Sequence, residues 1–405
     1  MDFLDQVRSA SISMTTADTR QLWTKIHRWL GLTVLAFLFI AGVTGSILCF
    51  DKRIDAAINS DLFYRRTEAV PLNLPDLVAQ VQAQHPELVV TQFPLNLRPA
   101  QNLQLNVAPS DAKTSLGFDQ MFLDPSNGRT VGFRQSGPGW DRRHIVEAIF
   151  QLHQNLVAGK WGRWIMGIAA LGWFIGNFVG LYLTFPVKRP FWPKWKKKWK
   201  IDTKAKMRRL MLEIHNSSGL WLLIPATVLA FTSVAMNFFD EAFVPTVEAI
   251  SPSKPSIFDN SATPPSSEAR RIGFSQALAA GSAAARASGL KWQPALERYN
   301  PQLEVYGVSF TDNGLENYHR LGPVTFYVDA HSSRLVEIDD PYHDSFGRKL
   351  TRSLYPLHSG EVAGPFGIAL IFLLGLSTAE MSITGFYTWW KKRESRSGKR
   401  PARRA

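Results

Sequence analysis

Four histidines in this 405-residue chain recur in matched settings. His153 is followed by Gly159 and Gly162 in LHQNLVAGKWG, and His358 by Gly364 and Gly367 in LHSGEVAGPFG. His27 is followed by Gly31-Leu32 and His215 by Gly219-Leu220. Each histidine leads into a long apolar run, so four helices crossing a membrane would place two imidazoles near each face. Facing side chains in a helical bundle are a common way to hold a cofactor. A pair of imidazoles satisfies both axial positions of a haem iron and leaves it no open position, which suits electron transfer rather than oxygen binding. His27 with His215, and His153 with His358, are therefore expected to hold a haem or a metal, one at each level. Gly31 and Gly219 lie one helical turn from their histidines and leave room for a flat ring. Arg28 beside His27, and Lys160 and Arg163 after His153, are candidate partners for haem propionates. No such pair follows His358, where Ser359 and Glu361 stand instead. The competing reading puts each imidazole at the headgroups and gives the glycines to helix packing. It accounts for one histidine more easily than for four matched by level and by repeat. Glu380, inside the fourth run, is a candidate proton or polar site, because a carboxyl within a membrane requires a partner; Thr384 and Asn237 are the candidates nearby.

The elements that must position these residues are four apolar segments, Trp29–Phe50, Trp164–Val187, Asn216–Phe239 and Val362–Trp390. Each approaches or exceeds the 20 or so residues that span a bilayer. The net charge of +13 is concentrated beside them. Lys188–Arg209 carries eleven basic residues and the tail after Trp390 eight, whereas residues 51–160 carry eleven basic and eleven acidic and residues 240–361 eleven and fifteen. The positive-inside rule then puts both termini and the middle loop in the cytoplasm. Membrane lipid, not nucleic acid, is the expected partner of the basic residues. Trp192, Trp195, Trp199, Trp389 and Trp390 suit a cytoplasmic aromatic belt. The first run is too long, and begins too late, for a cleaved leader. The single cysteine, Cys49, excludes an intrachain disulfide and a cysteine-held iron–sulfur or zinc site.

The chain reads as one unit used twice. The offsets from His153 to Gly180 and Tyr182 repeat from His358 to Gly385 and Tyr387. Between the spans, LPDLVAQVQAQHPEL predicts a helix, and QMFLDPSNGRTVGF a strand–turn–strand hairpin. The second copy offers RIGFSQALAAGSAAARASG and VTFYVDAHSSRLVEI, after a Pro/Ser-rich linker. The expected architecture is an α-helical membrane protein of four transmembrane helices, with two external α+β domains. Its parts are a tail (1–28), TM1 (29–50), domain 1 (51–150), TM2 with its lead-in (151–187), a basic loop (188–214), TM3 (215–239), domain 2 (240–357), TM4 (358–390) and a basic tail (391–405). His153 precedes the uncharged core of its span by eleven residues, so either the helix bends near Gly159 and Gly162 or aromatics such as Trp173, Phe178 and Phe231 fill the gap between levels. His85, His144, His319, His331 and His343 fall in the external domains; His144 and His343 stand just ahead of the ligand candidates. No glycine-rich nucleotide loop follows a strand, so the electron donor is expected to be a quinol or another protein.

KIHRWLGL, LHQNLVAGKWG, EIHNSSGL and LHSGEVAGPFG, with the FLDPSNGRTV hairpin, resemble the PepSY-associated transmembrane family over about residues 20–393. The second hairpin, YVDAHSSRL, lacks the usual Pro and Gly. The resemblance implies a multi-pass protein of the bacterial inner membrane with periplasmic PepSY domains. It further implies likeness to haem-containing ferric-siderophore reductases of iron uptake, with His27, His153, His215 and His358 as axial ligands and a ferric siderophore or other chelate as periplasmic partner. It also leaves open a non-redox role, since PepSY domains are associated with protein interaction and peptidase regulation. A transporter is disfavoured by the small number of spans and by their lack of breaks beyond Pro225.

Overall fold

The computed structural model describes residues 16–65, 69–111, 115–259, 271–316 and 319–397. The chain forms two compact units: Met1–Ser46, Leu152–Phe238 and Phe372–Ala405 in one, Ile47–Gln151 and Phe239–Ile371 in the other. The first 15 residues, most of the last tail and the heart of the Pro/Ser-rich linker lie outside the described residues.

The first unit is helical. Three of its helices are long and apolar enough to cross a membrane: α1 (Thr16–Leu48), α5 (Gly159–Thr184) and α10 (Gly364–Ser397). The fourth crossing departs from expectation. It is two helices, α6 (Met207–Trp221) and α7 (Leu223–Asn237), bent by 74°. Pro225 supplies the reason. It lacks an N–H, and in a continuous helix its ring would strike the carbonyl of Trp221 four residues back. The bend falls at Leu222, and Pro225 takes its place in the first turn of α7. At 1.5 Å per residue α7 is only about 22 Å long, short of a hydrocarbon core of about 30 Å. The described residues therefore hold three candidate spans, or four if the bent pair is one.

Small residues bring the helices together, as expected where no hydrophobic effect separates helix from lipid. A Cβ on Gly42 of α1 would lie 2.5 Å from the Gly375 carbonyl of α10. Ser46 Oγ donates to the Phe372 carbonyl at 3.0 Å on the same seam. Gly172 of α5 meets Leu30 and Val34 of α1, and Gly167 meets Asn237 and Phe238 at the end of α7. In the basic loop Phe191, Trp192, Trp195, Trp199 and Trp221 form a run of edge-to-face and tilted rings, consecutive centroids 5.2–5.6 Å apart.

The repeated His–Gly–Gly motif is a helix corner. α4 (Ile145–Asn155) carries His153 and ends before Leu156 and Val157, both at φ 56°. Gly159 (φ 56°) opens α5, and a Cβ on Gly162 would sit 1.7 Å from the Asn155 carbonyl. α9 (Phe346–Ser359) carries His358, stops at Gly360 (φ 82°), and α10 restarts at Gly364 (φ 59°). There a Cβ on Gly367 would lie 2.0 Å from the Gly360 carbonyl. The first glycine of each pair takes a left-handed backbone, and the second lets the previous helix's last carbonyl approach. The chain breaks near Gly159 and Gly162, and Phe178 and Phe231, two of the aromatics named for the gap, also pack on Phe174 at 5.2 and 6.3 Å.

The second unit holds the strands. α3 (Leu74–Gln84) precedes β1 (Leu88–Pro94), β2 (Leu103–Pro109), β3 (Gln120–Leu123) and β4 (Thr130–Arg134). α8 (Phe274–Ala287) precedes β5 (Gln293–Asn300), β6 (Val305–Thr311), β7 (Val324–Asp329) and β8 (Leu335–Asp339). Two separate domains were expected from the sequence. Instead all strands join in one antiparallel sheet, ordered β4-β3-β2-β1-β5-β6-β7-β8. The first strand of each copy would otherwise present an unpaired edge, and here β1 and β5 cover each other. The seam is symmetric: Gln92↔Arg298 and Pro94↔Leu296 flank the central pair Phe93↔Glu297. Phe274 of α8 packs edge-to-face on Phe93 and on Tyr306, at 5.1 and 5.2 Å, so one core runs under both copies. Glu297 is buried in that core, fully shielded from solvent, and neither carboxyl oxygen has a hydrogen-bond partner.

Both predicted hairpins form, each held by its aspartate. Asp124 Oδ1 accepts from Ser126 N (3.0 Å) and Ser126 Oγ (2.6 Å), and Asp329 Oδ1 from Ser332 N and Oγ (both 2.7 Å). These bonds, rather than the Pro and Gly missing from the second copy, are the shared device. Losing them leaves turn N–H groups unpaired, so Asp124→Ala and Asp329→Ala should each cost about 1–2 kcal/mol. Faster hydrogen exchange confined to the corresponding hairpin is the expected reading; unchanged exchange would show the turn is held by other groups.

Candidate histidine sites in the helical unit

His27, on α1, and His215, on α6, lie close enough for a charge on one to act on the other. Each rests against a glycine of a neighbouring helix. His27 Cε1 is 3.2 Å from where a Gly180 Cβ would be on α5, and His215 Cε1 3.4 Å from that of Gly385 on α10. Gly180 and Gly385 are repeat-equivalent, so the same cradle occurs twice. His215 Nδ1 contacts the Met381 carbonyl and Thr384 Oγ1, both at 3.2 Å. A carbonyl accepts only, so Nδ1 carries the proton and Nε2 presents its lone pair. His27 Nδ1 is buried with no hydrogen-bond partner, an exception that calls for an explanation.

His153 is seated at the other end of α1. Its Nδ1 contacts Thr44 Oγ1 at 3.0 Å, its ring also bonds the Ala41 carbonyl, and its Cε1 is 2.9 Å from a Cβ built on Gly45. Threonine plus the carbonyl three residues earlier is the arrangement that Met381 and Thr384 provide for His215. From His27 to Thr44 is seventeen residues of α1, or about 26 Å along the axis. His27 and His153 therefore lie toward opposite ends of α1. His358 ends α9, in the sheet-containing unit.

The five remaining histidines are held differently. His85, His144, His319, His331 and His343 each face a carboxylate, of Glu87, Asp141, Asp312, Glu304 and Asp340, at 2.7–3.6 Å. His144 and His343 each tie to the aspartate three residues before, at 2.7 and 2.8 Å, so they fasten the chain locally ahead of α4 and α9.

The candidate propionate partners are less well supported. Arg28 and Arg163 are half-buried, while Lys160 is exposed with its ammonium over the Trp164 ring at 5.1 Å. Gly31 meets nothing within 4 Å, and Gly219 meets the tip of Met381. Glu380 is half-buried on α10; Thr384 Oγ1 lies 3.2 Å from its Oε1, and Ser218 of α6 also bonds its carboxyl. The expected partner Thr384 is present, while Asn237 donates to the Ser233 carbonyl instead. Thr44, Gly45 and the Met381 carbonyl were not singled out from sequence, because nothing in one chain's spacing tells which turn of one helix meets another.

Among the described residues no three His, Cys, Asp or Glu side chains converge. An axial pair asks the protein for only two donors, and the site offers that: two neighbouring imidazoles, glycines where side chains would crowd, one fixed tautomer and one orphaned ring nitrogen. These features fit a haem held between His27 and His215.

The fold defines a helical membrane-type protein, with three to four candidate spans among the described residues and a sheet-containing unit. The chain belongs to the family described as the PepSY-associated TM region, whose model matches residues 24–392. No curated protein matches it significantly.

Proposed function

We propose that the protein is a haem b-containing oxidoreductase of the bacterial inner membrane, reducing ferric iron in a periplasmic siderophore or other chelate. The observation that carries this reading is the proximity of His27 and His215, each on a glycine of the next helix and one with its Nδ1 already bonded to a carbonyl. A haem bound there would supply one-electron chemistry. The chain's own part is to fix the imidazoles, keep Nε2 of His215 directed to the ligand, and surround both with apolar helix. His153 would hold a second haem toward the other end of α1, and a quinol or protein donor would deliver electrons from the cytoplasmic side. Arg28, Lys160 and Arg163 remain candidates for the propionates. With both termini cytoplasmic, as the basic segments favour, the sheet-containing unit faces the periplasm, where ferrous iron, held more weakly than ferric by hard oxygen donors, would leave its chelate.

A reduced-minus-oxidised visible spectrum of the purified chain in detergent tests this directly. Sharp bands of six-coordinate b-type haem at about two per chain, two pairs of axial histidines giving two sites, are expected. A colourless protein from haem-replete cells would overturn the reading.

A further inference from the structure

The receptors of His153 and His215 share one arrangement. In both, Nδ1 meets a threonine hydroxyl and the ring bonds the carbonyl three residues before that threonine: Thr44 with Ala41, Thr384 with Met381. In both, the threonine hydroxyl also lies near the carbonyl four residues back, Ile40 O at 2.6 Å and Glu380 O at 3.0 Å. The residue at that fourth place is isoleucine in one receptor and glutamate in the other. Only the second therefore has a side-chain acceptor behind its hydroxyl: Thr384 Oγ1 to Glu380 Oε1, 3.2 Å. A hydroxyl has one proton. If it accepts from His215 Nδ1–H, it can give that proton to the Glu380 carboxyl, so the bonds run His215 to Thr384 to Glu380. Ser218, three residues after His215 on the same helix, holds the carboxyl as well.

We propose that Glu380 is a positioning residue that, through Thr384, makes His215 the more electron-donating imidazole and sets the haem it holds at a lower reduction potential than the haem held by His153. The proposal rests on the haem reading above. Acceptors behind a ligating imidazole raise its basicity, and a more basic axial ligand favours ferric over ferrous iron. Ile40 offers His153 no such help. The difference gives the electron a downhill direction, from the His215 level to the His153 level, without any change in ligand type. It also gives a reason for a carboxyl inside the membrane, where an ionisable group is costly.

The test is a spectroelectrochemical titration of the full chain in detergent, wild type against Glu380→Gln, Thr384→Val, Thr384→Ser and the double variant Glu380→Gln/Thr384→Val. Wild type should titrate in two steps. Glu380→Gln should raise the lower step, by about tenfold in the reduction equilibrium, or about 59 mV for one electron, and leave the upper step in place. Thr384→Val should do the same, the double variant no more than either alone, and Thr384→Ser should keep the wild-type value. Six-coordinate haem with both steps unmoved in Glu380→Gln would overturn the inference and leave the haem reading intact. Wild-type chain without haem would overturn both. If Thr384→Val fails to fold, Glu380→Gln alone, close in shape and still able to hydrogen-bond, decides the matter.

Discussion

Replacing Glu297 with methionine should stabilise the sheet-containing unit, and the gain should grow as the pH rises. Glu297 sits at the centre of the β1–β5 seam, opposite Phe93, with Val308 of β6 on its other side. It is wholly buried, and both carboxyl oxygens lack partners. Burial among apolar groups holds its pKa well above the ordinary carboxyl value of 4.5. The sign follows from proton uptake. Below about 4.5 the carboxyl is protonated whether the unit is folded or not. Between 4.5 and the raised folded value, the folded unit keeps the proton while the unfolded chain has released it. Stability is therefore fully present at low pH and is lost as pH rises through that window, by up to about 1.4 kcal/mol per pH unit. A neutral buried carboxyl without partners already costs about 1–3 kcal/mol. Methionine, similar in length and apolar, should remove both penalties; glutamine should remove the pH dependence alone, because its amide would be as unpartnered as the acid. Hydrogen exchange of β1 and β5 in the intact protein, corrected for intrinsic rates at pH 5–9, reads this out. A wild-type seam as well protected at pH 9 as at pH 5 would mean that Glu297 is reached by water or a partner.

How far the sequence could be read depended on whether a feature is local. The helices α3 and α8 and both hairpins were legible because apolar spacing and Asp-led turns are local signals, and Asp124 and Asp329 do hold those turns. The corner at His153 was half legible. Its glycines were conspicuous, but their cause, the Asn155 carbonyl pressed against Gly162, exists only once the chain has folded back. Pro225 was visible, yet whether a proline kinks a helix or breaks it depends on what surrounds Trp221 and Leu222. The joining of eight strands was not legible. β1 and β5 lie some two hundred residues apart, and each reads as an ordinary strand; the pairing follows from two edges that need covering. In the same way, the four histidines stood out by repetition, but their receptors did not. Thr44 is an unremarkable residue of an apolar helix until the facing imidazole is in place, and Thr384, legible as a partner for Glu380, gave no sign that it would meet His215. Glu380 drew notice because it is ionisable, and the hydroxyl that links it to His215 emerged only from the packing of α10 on α6.

Removing His27 or His215 should abolish the same half of the haem signal, and removing both should abolish no more. The prediction follows from geometry rather than from resemblance. The two imidazoles lie within electrostatic reach of one another, on different helices, each backed by a repeat-equivalent glycine. If they are the two axial ligands of one iron, losing either converts a six-coordinate site to a five-coordinate one and weakens its hold on the ring, so single and double variants converge instead of adding. His153→Ala should spare that signal and remove the other, because its receptor on α1 is seventeen residues, about 26 Å, farther along the helix. Haem content and the low-spin electron paramagnetic resonance of each variant give the answer, with membrane insertion checked in parallel. Should His27→Ala and His215→Ala each delete a different signal, the pairing by level is wrong and the imidazoles are ligands of separate irons. Should neither change the spectrum, the buried Nδ1 of His27 needs another occupant, and the glycines facing both rings are there for helix packing.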